Sequence, residues 1–249
     1  MNDCLSIIVV PCYNESQRLN GDAFIAFAEE HEKISFLFVN DGSIDNTLDI
    51  LKNLSKQSSR IQYLDLNCNC GKAEAVRRGM LHASANFKAE FIGFWDADLA
   101  TPLLEIPHFI EIATTQSYNV VTGLRLLRLG ANVQRKKIRH YLGRCFATTA
   151  SFILDLPVYD TQCGAKLYRS SVVPALFSEK FVTRWLFDVE ILARYIVIYG
   201  RDIAIKSIYE YPILTWVDVG DSKLKFFDFF KAPIEMIKIR HKYFIKNYK

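Results

Sequence analysis

The feature that most constrains the fold is a regular alternation of short apolar runs with helical patterns over the first half of the chain. The runs are rich in Val, Ile and Phe without polar alternation, which predicts strands buried on both faces. Strand–helix–strand repetition of this kind predicts an α/β fold, with a mainly parallel sheet flanked by helices. The predicted strands cover residues 5–10, 34–40, 61–66, 90–95 and 118–124.

After about residue 130 the alternation loosens. A long basic and then apolar pattern predicts a helix over 134–154, and a further strand is expected near 203–209. Without a Gly/Ser/Pro-rich linker or an internal repeat, we expect one domain over residues 1–220 and a C-terminal segment over 221–249.

The C-terminal segment interleaves Phe and Ile with Lys and Arg, and Pro233 is expected to divide it into two short amphipathic helices. Basic residues beside aromatic ones suit a helix lying in an anionic lipid interface. The alternative is a helix that packs its aromatic face on the domain.

Composition narrows the class of protein. Among 249 residues, 31 Lys and Arg face 27 Asp and Glu, and this net charge of +4 is too small to indicate nucleic-acid binding. The six cysteines and five histidines form no CxxC or HxxxH pair, which predicts reduced thiols and no zinc site. No signal peptide and no apolar run of spanning length are found, so we expect a cytoplasmic protein, peripherally associated with membranes and without a transmembrane helix.

Polar residues follow the first two predicted strands, at the strand ends where parallel sheets bind ligands. In "VVPCYNE" (9–15) they could stack on and hydrogen-bond to a planar heterocycle, although a helix-initiating turn is the alternative. In "VNDGSIDNT" (39–47), Ser43 or Asp45 can cap the next helix, while Asp41 can accept hydrogen bonds from a base or a ribose.

The fourth predicted strand runs into two carboxylates in "FIGFWDADLATP" (91–102). Residues i and i+2 of an extended segment point the same way, so Asp96 and Asp98 converge on one position. Two neighbouring carboxylates call for a positive partner, and Mg²⁺ or Mn²⁺ bridging to a diphosphate fits. Two solvated turn aspartates are the alternative.

Together these strand ends resemble those of the nucleotide-sugar-dependent, inverting glycosyltransferases with the GT-A (Rossmann-like) fold. Three later segments, "DTQCGAKLYR" (160–169), "RWLFDVEIL" (184–192) and "WVDVGDSKLK" (216–225), resemble the dolichyl-phosphate glucose and mannose synthases and their bacterial polyprenyl-phosphate relatives. The resemblance implies that Asp41 contacts the nucleoside, that Asp96 and Asp98 hold the metal, and that Gln162 and Asp188 lie in the sugar and acceptor pocket. The segment "NCNCGKAEAVRRGM" (67–80) also resembles a family segment, with Ala in place of the usual second Gly after Lys72.

The acceptor decides which further groups are needed. A sugar hydroxyl needs a carboxylate base, whereas a phosphate monoester with a second pKa of about 6 is mostly a dianion at neutral pH and needs only cations. Arg125, Arg135 and Arg139, with Lys223 as a weaker candidate, could supply those cations, and in the related synthases arginines at such positions line the acceptor-phosphate route. A solvated basic helix face is the alternative.

These patterns predict an inverting transferase that moves glucose from UDP-glucose to a polyprenyl phosphate at a membrane surface, without nucleic acid. The alternatives are transfer to a sugar hydroxyl with Asp188 as base, GDP-mannose as donor, or an inactive nucleotide-binding homologue. The predicted catalytic residues are Asp98, Arg125, Arg139, Gln162 and Asp188; the predicted substrate-binding residues are Pro11, Tyr13, Asn14, Glu15, Asp41, Lys72, Arg135 and Lys223; the predicted metal ligands are Asp96 and Asp98.

Overall fold

The computed structural model describes residues 5–134, 137–217 and 226–245, with side chains described except at 134, 137–142 and 226–231. The strands are β1 (Ser6–Cys12), β2 (Ile34–Asp41), β3 (Ile61–Leu66), β4 (Phe91–Trp95), β5 (Val120–Leu124), β6 (Asn132–Gln134), β7 (Ala165–Arg169), β8 (Ile208–Pro212) and β9 (Thr215–Val217). The helices are α1 (Gly21–Glu30), α2 (Thr47–Gln57), α3 (Lys72–Asn86), α4 (Glu105–Thr115), α5 (Lys137–Leu154), α6 (Val173–Phe177), α7 (Phe187–Tyr199), α8 (Arg201–Ser207) and α9 (Phe226–Arg240).

The described strands form a seven-stranded sheet in the order β3-β2-β1-β4-β7-β5-β8, and β6 pairs with β9 in a separate ribbon. The pairs β1·β2, β2·β3, β1·β4 and β5·β8 are parallel, while β7 runs antiparallel to both of its neighbours. The predicted mainly parallel α/β architecture is therefore confirmed.

The antiparallel strand β7 brings a distant part of the chain to the edge where the parallel strands end. Trp95, the last residue of β4, pairs with Ala165, the first residue of β7. The segment 160–164 consequently lies beside the two aspartates that follow β4, although more than 60 residues separate them in sequence.

Apolar side chains cover both faces of the sheet in two clusters. Alternate residues of β1 divide between them, with Val9 in the cluster that contains α3 and α7, and Ile8 in the cluster that contains α1 and α4. Helix α3 approaches the sheet closely because Gly79 faces it, where a Cβ atom would lie 2.5 Å from a methyl carbon of Val9. This burial on both faces explains the uninterrupted apolar runs of the sequence.

One prediction about the second half is wrong, and one strand was not predicted. Residues 201–207 form α8 rather than a strand, and the strand lies at 208–212. Ile203 and Ile205 alternate with smaller or polar residues as in a strand, but both are about half exposed and only Ala204 of α8 is buried. Strand β7 was not predicted. It is only five residues long, and Lys166 interrupts its apolar residues.

The prediction that Pro233 separates two helices is also wrong. Helix α9 runs through Pro233 and ends in a π-helical turn at His241–Ile245. Ala232, Met236, Ile239 and Tyr243 are buried in the core cluster on the α3 and α7 side, whereas Ile234, Ile237 and Ile245 are exposed. Among the helices of the described ranges, none is both long and apolar enough to cross a membrane.

Candidate active site

The loops that follow β1 and β2 are joined by hydrogen bonds. The backbone N–H of Asn14 donates to Ser43 Oγ at 3.0 Å, and the side-chain oxygen of Asn14 accepts from the N–H of Ile44 at 3.0 Å. Asn14 has a φ of 51°, in the left-handed region that asparagine tolerates better than most residues. Asn14 therefore positions the second loop, and its predicted contact with substrate stays a prediction.

Asp45 lies just before α2 and joins the same two loops a second time. One carboxylate oxygen accepts from the N–H of Thr47 at 3.0 Å, and the other accepts from the N–H of Ser16 at 3.2 Å. Burial favours the neutral acid, but the hydrogen bonds from Thr47 and Ser16 outweigh it and lower the pKa of Asp45 to about 2. The N-cap residue of α2 is Asn46, so the predicted cap at Asp45 is off by one residue, although the carboxylate of Asp45 does accept from the first N–H of the helix.

Glu15 belongs to the same pair of loops and is buried. Its carboxylate accepts from Arg18 Nε at 3.0 Å and from Arg18 Nη2 at 2.8 Å, and its backbone N–H donates to Thr47 Oγ1 at 2.8 Å. Pro11 is the next-to-last residue of β1, and Tyr13 follows the strand with a half-buried side chain. The first two strand ends thus form one hydrogen-bonded unit at the sheet edge.

Asp41, at the end of β2, holds the loop that precedes α3. Its two oxygens accept from the N–H groups of Cys70 and Gly71, at 2.7 Å and 2.8 Å. Burial raises the pKa of Asp41, and these two hydrogen bonds oppose that shift. Gly71 has a φ of 88°, which favours glycine at the turn into α3. Contact between Asp41 and a nucleoside remains a prediction.

The two aspartates after β4 lie beside a lysine. Lys72 Nζ, at the start of α3, is 2.5 Å from Asp96 Oδ1, while Asp98 Oδ1 accepts from the N–H of Ala100 at 3.1 Å. Burial raises the pKa of Asp98, and the neighbouring charge of Asp96 raises it further. Leu99 has a φ of 54°, an uncommon conformation that marks a constrained turn. The positive partner that the sequence called for is, within the protein, Lys72.

Gly164 fits against the same carboxylate. A Cβ atom at this position would lie 1.9 Å from Asp96 Oδ2, and the carbonyl of Gly164 accepts from the N–H of Asp96 at 3.0 Å.

Across the described part of the chain, no group of three or more His, Cys, Asp or Glu side chains could enclose a metal ion. Paired carboxylates suit a divalent ion that takes its remaining ligands from phosphate and water, so Asp96 and Asp98 fit that role.

Arg125 follows β5 and forms a nearly buried, two-pronged ion pair. Its Nε and Nη2 lie 2.7 Å and 2.8 Å from the two oxygens of Asp160, and its guanidinium stacks on Trp216 at 5.3 Å from the ring centre. Asp160 also accepts from the N–H of Gln162 at 3.2 Å. The side-chain nitrogen of Gln162 is buried and has no hydrogen-bond partner among the described residues. The amide nitrogen of Gln162, in the segment that precedes β7, is therefore available to donate a hydrogen bond to a ligand.

Asp188, near the start of α7, forms a buried ion pair with Lys166 of β7. Lys166 Nζ lies 2.7 Å from Asp188 Oδ1 and donates to the carbonyl of Cys163 at 2.5 Å. Burial raises the pKa of Asp188, and the charge of Lys166 opposes this. Lys72 lies within electrostatic reach of Asp188, Asp96 and Asp98. Lys166 was not among the predicted site residues, although a lysine inside an otherwise apolar strand is a signal for such a pair.

A second buried carboxylate of α7 joins the C-terminal residues to the segment before α7. Glu190 is fully buried and accepts hydrogen bonds from the backbones of Val182 and Thr183 at 2.9 to 3.1 Å. It also accepts from Arg194 Nη2 at 3.0 Å and from the hydroxyl of Tyr243 at 2.7 Å. Glu190, which was not among the predicted site residues, therefore has a structural role: it holds α7, the segment before it and the C-terminal residues together.

Glu235 of α9 completes this connection. Its Oε2 accepts from the N–H groups of Trp185 and Leu186, at 3.3 Å and 3.0 Å. The N-cap residue, Leu186, has an apolar side chain and cannot accept a hydrogen bond from the first N–H groups of α7 itself. The C-terminal helix therefore caps the helix that carries Asp188, which no local sequence pattern indicates.

Three of the predicted cations are not described at the side-chain level. Arg135 and Lys223 lie outside the described residues, and Arg139 lies in α5, where its side chain is not described. The structure brings Asp41, Lys72, Asp96, Asp98 and Gln162 to the edge at which the parallel strands end. Arg125 and Asp188 lie next to this edge, each in an ion pair.

Comparison with known proteins agrees with this geometry. Residues 7–177 match the model of the family described as "Glycosyl transferase family 2". A dolichyl-phosphate beta-glucosyltransferase of Trichomonas vaginalis is 32% identical over 251 residues, which cover 96% of this chain and 71% of that protein. A dolichyl-phosphate beta-glucosyltransferase of Dictyostelium discoideum is 30% identical, with coverage of 97% and 76%.

Solved structures show the same fold. Glucosyl-3-phosphoglycerate synthase of Mycobacterium tuberculosis, in complex with Mn²⁺, UDP and glucosyl-3-phosphoglycerate, superposes with a TM-score of 0.68 at 14% identity. The match covers 96% of this chain and 79% of that one. The resemblance to GT-A glycosyltransferases expected from the strand ends is thereby confirmed, and the chain belongs to glycosyl transferase family 2, as a nucleotide-sugar-dependent glycosyltransferase that resembles the dolichyl-phosphate glucose synthases.

Proposed function

We propose that the protein transfers glucose from UDP-glucose, with inversion at the anomeric carbon, to the phosphate of a polyprenyl phosphate. The observation that carries the choice of acceptor is the ion pair between Lys166 and Asp188 at 2.7 Å. Asp188 is the carboxylate that a hydroxyl acceptor would need as base, but its Oδ1 is already paired with Lys166, whose charge opposes the rise in pKa that burial causes. The relatives named dolichyl-phosphate beta-glucosyltransferases support the same choice.

The proposal assigns Mg²⁺ or Mn²⁺ to Asp96 and Asp98. Carboxylate oxygens are the ligands that such ions prefer, and the diphosphate of the donor would complete the set. When bound, the ion supplies Lewis-acid stabilisation of the charge that develops on the departing nucleoside diphosphate. The Mn²⁺ and UDP in the structure of the mycobacterial synthase support this assignment.

The remaining chemistry rests on side chains of the chain itself. Lys72, which lies at the first turn of α3, adds a positive charge beside Asp96 and suits a diphosphate as its neighbour. The buried, unpartnered amide nitrogen of Gln162 suits a sugar hydroxyl as its acceptor. The loops that carry Tyr13 and Asp41 would hold the nucleoside, as the family resemblance implies.

The acceptor phosphate needs cations instead of a base. A phosphate monoester is mostly a dianion at neutral pH, since its second pKa is about 6. In the proposed reaction an oxygen of this dianion attacks the anomeric carbon opposite the bond to the diphosphate, and no proton is transferred. Arg125, Arg135, Arg139 and Lys223 are the proposed cations, and Arg125 would act while paired with Asp160.

Peripheral membrane association at the cytoplasmic face is part of the proposal, because a polyprenyl chain resides in the bilayer. Helix α9 exposes Ile234 and Ile237 next to the exposed residues Lys238 and Arg240, and this mixture suits a lipid interface. The residues from 218 to 225, which include Lys223, lie outside the described ranges.

The assay is transfer of labelled glucose from UDP-glucose into lipid extractable by organic solvent, with undecaprenyl or dolichyl phosphate and Mn²⁺. We expect Asp96→Asn and Asp98→Asn each to lower kcat by at least about 100-fold, because the diphosphate charge is then left without its ion. Asp202→Asn, at an exposed position of α8, is a control that should retain the rate.

Asp188→Asn separates the proposed acceptor from the alternative. With a phosphate acceptor, we expect the variant to keep measurable transfer, and the double variant Lys166→Met/Asp188→Asn to behave similarly. Complete loss of transfer with unchanged donor binding would instead favour Asp188 as base and a sugar hydroxyl as acceptor. GDP-mannose in place of UDP-glucose tests the alternative donor, and absence of transfer with every donor and acceptor would favour an inactive nucleotide-binding homologue.

A further inference from the structure

A cleft of about 290 Å³ lies between the start of α3 and the segment that precedes α7. Gly71 and Arg78 line it on the α3 side, and Lys180 and Arg184 line it on the other side. None of the sequence motifs assigned Arg78, Lys180 or Arg184 to a site. The cleft begins one residue from Lys72, so it adjoins the edge of the sheet that carries Asp96.

Positive charge exceeds negative charge in the cleft. Glu74 is the acidic residue of its lining, and its carboxylate is shared by Arg78 at 2.8 Å and Arg77 at 2.7 Å. Lys180 and Arg184 form no salt bridge with any described residue, and both are exposed to solvent, although Arg184 lies within electrostatic reach of Asp41. Two cations are therefore available to a negatively charged ligand.

Buried contacts hold the backbone on both sides of Arg184. The preceding residue, Thr183, donates its N–H and its hydroxyl to the fully buried carboxylate of Glu190, at 3.1 Å and 3.0 Å. The following residue, Trp185, donates its N–H to Glu235. A cation on a segment fixed in this way loses less conformational freedom when it binds a ligand.

The guanidinium of Arg184 lies across the turn into α3. Its Nη2 is 3.2 Å from the position that a Cβ atom of Gly71 would occupy, so the guanidinium lies directly against this turn. Gly71 is the N-cap residue of α3, and the partial positive charge of a helix N-terminus adds to that of the guanidinium. Both carboxylate oxygens of Asp41 accept hydrogen bonds from this turn, from the N–H groups of Cys70 and Gly71.

We propose that this cleft binds a phosphate group of a substrate, with Arg184 and Lys180 as its direct ligands. Arginine matches phosphate with two parallel hydrogen bonds, and lysine adds a mobile point charge. The proposal rests on the proposed glycosyl transfer only for the identity of the ligand, which is either the diphosphate of the donor or the phosphate of the lipid acceptor. Both present the same chemistry to the cleft.

Calorimetric titration with inorganic pyrophosphate, in buffer that contains EDTA, tests the site without metal and without turnover. We expect Arg184→Gln to weaken pyrophosphate binding at least 10-fold, Lys180→Gln to weaken it several-fold, and Arg184→Lys to recover part of the loss. Lys206→Gln, which removes an exposed lysine on α8, is the matched control and should bind as the unmodified protein does. Equal affinity of the Arg184→Gln variant and the unmodified protein would overturn the proposal.

Steady-state transfer rates then identify the source of the phosphate. A rise in KM for UDP-glucose in the Arg184→Gln variant assigns the cleft to the donor, and a rise in KM for polyprenyl phosphate assigns it to the acceptor. If the unmodified protein fails to transfer glucose but binds pyrophosphate through Arg184, the proposed function fails and the phosphate site stands. Unchanged KM values together with unchanged pyrophosphate binding refute the site.

Discussion

At the scale of single residues, the site depends on the absence of a side chain at position 164 as well as on the side chains around it. Gly164 has no side chain, and the carboxylate of Asp96 occupies the space that a Cβ atom would take. The segment 160–164, which precedes β7, therefore contributes to the site both the side chain of Gln162 and the space left by the missing side chain of Gly164. This role of Gly164 depends on contact with a residue 68 positions away, and becomes visible only in the folded chain.

Gly164→Ala is predicted to displace the carboxylate of Asp96, since the added Cβ would lie 1.9 Å from Asp96 Oδ2. We expect kcat/KM for glucose transfer to fall at least about 10-fold, which corresponds to ~1.4 kcal/mol of transition-state stabilisation. The thermal midpoint shows whether the variant is folded. The double variant Asp96→Ala/Gly164→Ala should be more stable than Gly164→Ala alone, and if it is not, the steric explanation is wrong.

Lys166 is predicted to stabilise the fold through Asp188. Lys166→Met leaves a buried carboxylate without its counter-charge, which costs about 3–5 kcal/mol of unfolding free energy. Urea denaturation at pH 7 measures this loss. The double variant Lys166→Met/Asp188→Asn should recover a large part of it, because no buried charge then remains, and a double variant no more stable than Lys166→Met would contradict the pairing.

The same variant has a predicted pH dependence. Burial raises the pKa of Asp188 above its usual 3.8, so the folded state binds this proton more tightly than the unfolded chain does. Removal of Lys166 leaves burial unopposed by that charge. By proton linkage, the Lys166→Met variant should lose stability as the pH rises above the ordinary aspartate range, and should regain it on acidification towards that range.

At the scale of elements, the N-terminus of α7 depends on a helix that lies about 50 residues further along the chain. Glu235 of α9 accepts from the N–H groups of Trp185 and Leu186, and Tyr243 reaches Glu190. Because α7 carries Asp188 and follows Arg184, the C-terminal helix influences the geometry of the site through these contacts.

Glu235→Leu is predicted to destabilise the protein by about 1–2 kcal/mol, since it removes the acceptor that caps α7. We expect glucose transfer to weaken as well, with a larger effect on KM for the ligand of the Arg184 cleft than on kcat. Glu235→Gln, which retains an oxygen acceptor, should lose less. Lys238→Ala removes an exposed side chain of the same helix and is the matched control, with an expected cost below about 0.5 kcal/mol.

At the scale of the whole molecule, the C-terminal residues take part in the core. Ala232, Met236, Ile239 and Tyr243 are each at most 7% exposed and pack in the cluster that covers one face of the sheet. The boundary between residues 220 and 221 stays a prediction, and these contacts agree with the alternative in which the C-terminal helix packs on the domain.

A chain that ends at residue 220 is therefore predicted to be much less stable than the full chain. Each large apolar side chain that loses its cover costs about 1.5–3 kcal/mol, and Glu190 loses the hydroxyl of Tyr243. Urea denaturation of the two forms measures the difference. Equal midpoints would show that residues 221–249 do not contribute to the stability of the domain.

The sequence determined the parts of the protein in which information is local. Uninterrupted apolar runs predicted β1 to β5, and polar residues directly after β1, β2 and β4 identified the sheet edge that carries the candidate site. A strand buried on both faces and a turn that needs Asn, Asp or Gly both leave signatures in consecutive residues. For the same reason the start of α2 could be predicted to within one residue from residues 45–47 alone.

Only the tertiary structure decided which distant groups meet. The antiparallel insertion of β7 brings Gln162 and Gly164 to Asp96, pairs Lys166 with Asp188, and leaves the capping of α7 to Glu235 of a helix that composition had assigned to a separate segment. No periodicity encodes these pairings, because they depend on strand order and on which faces of the sheet remain to be covered. Charges buried between such elements are stable only where a partner from elsewhere in the chain arrives, and that is a property of the packed molecule.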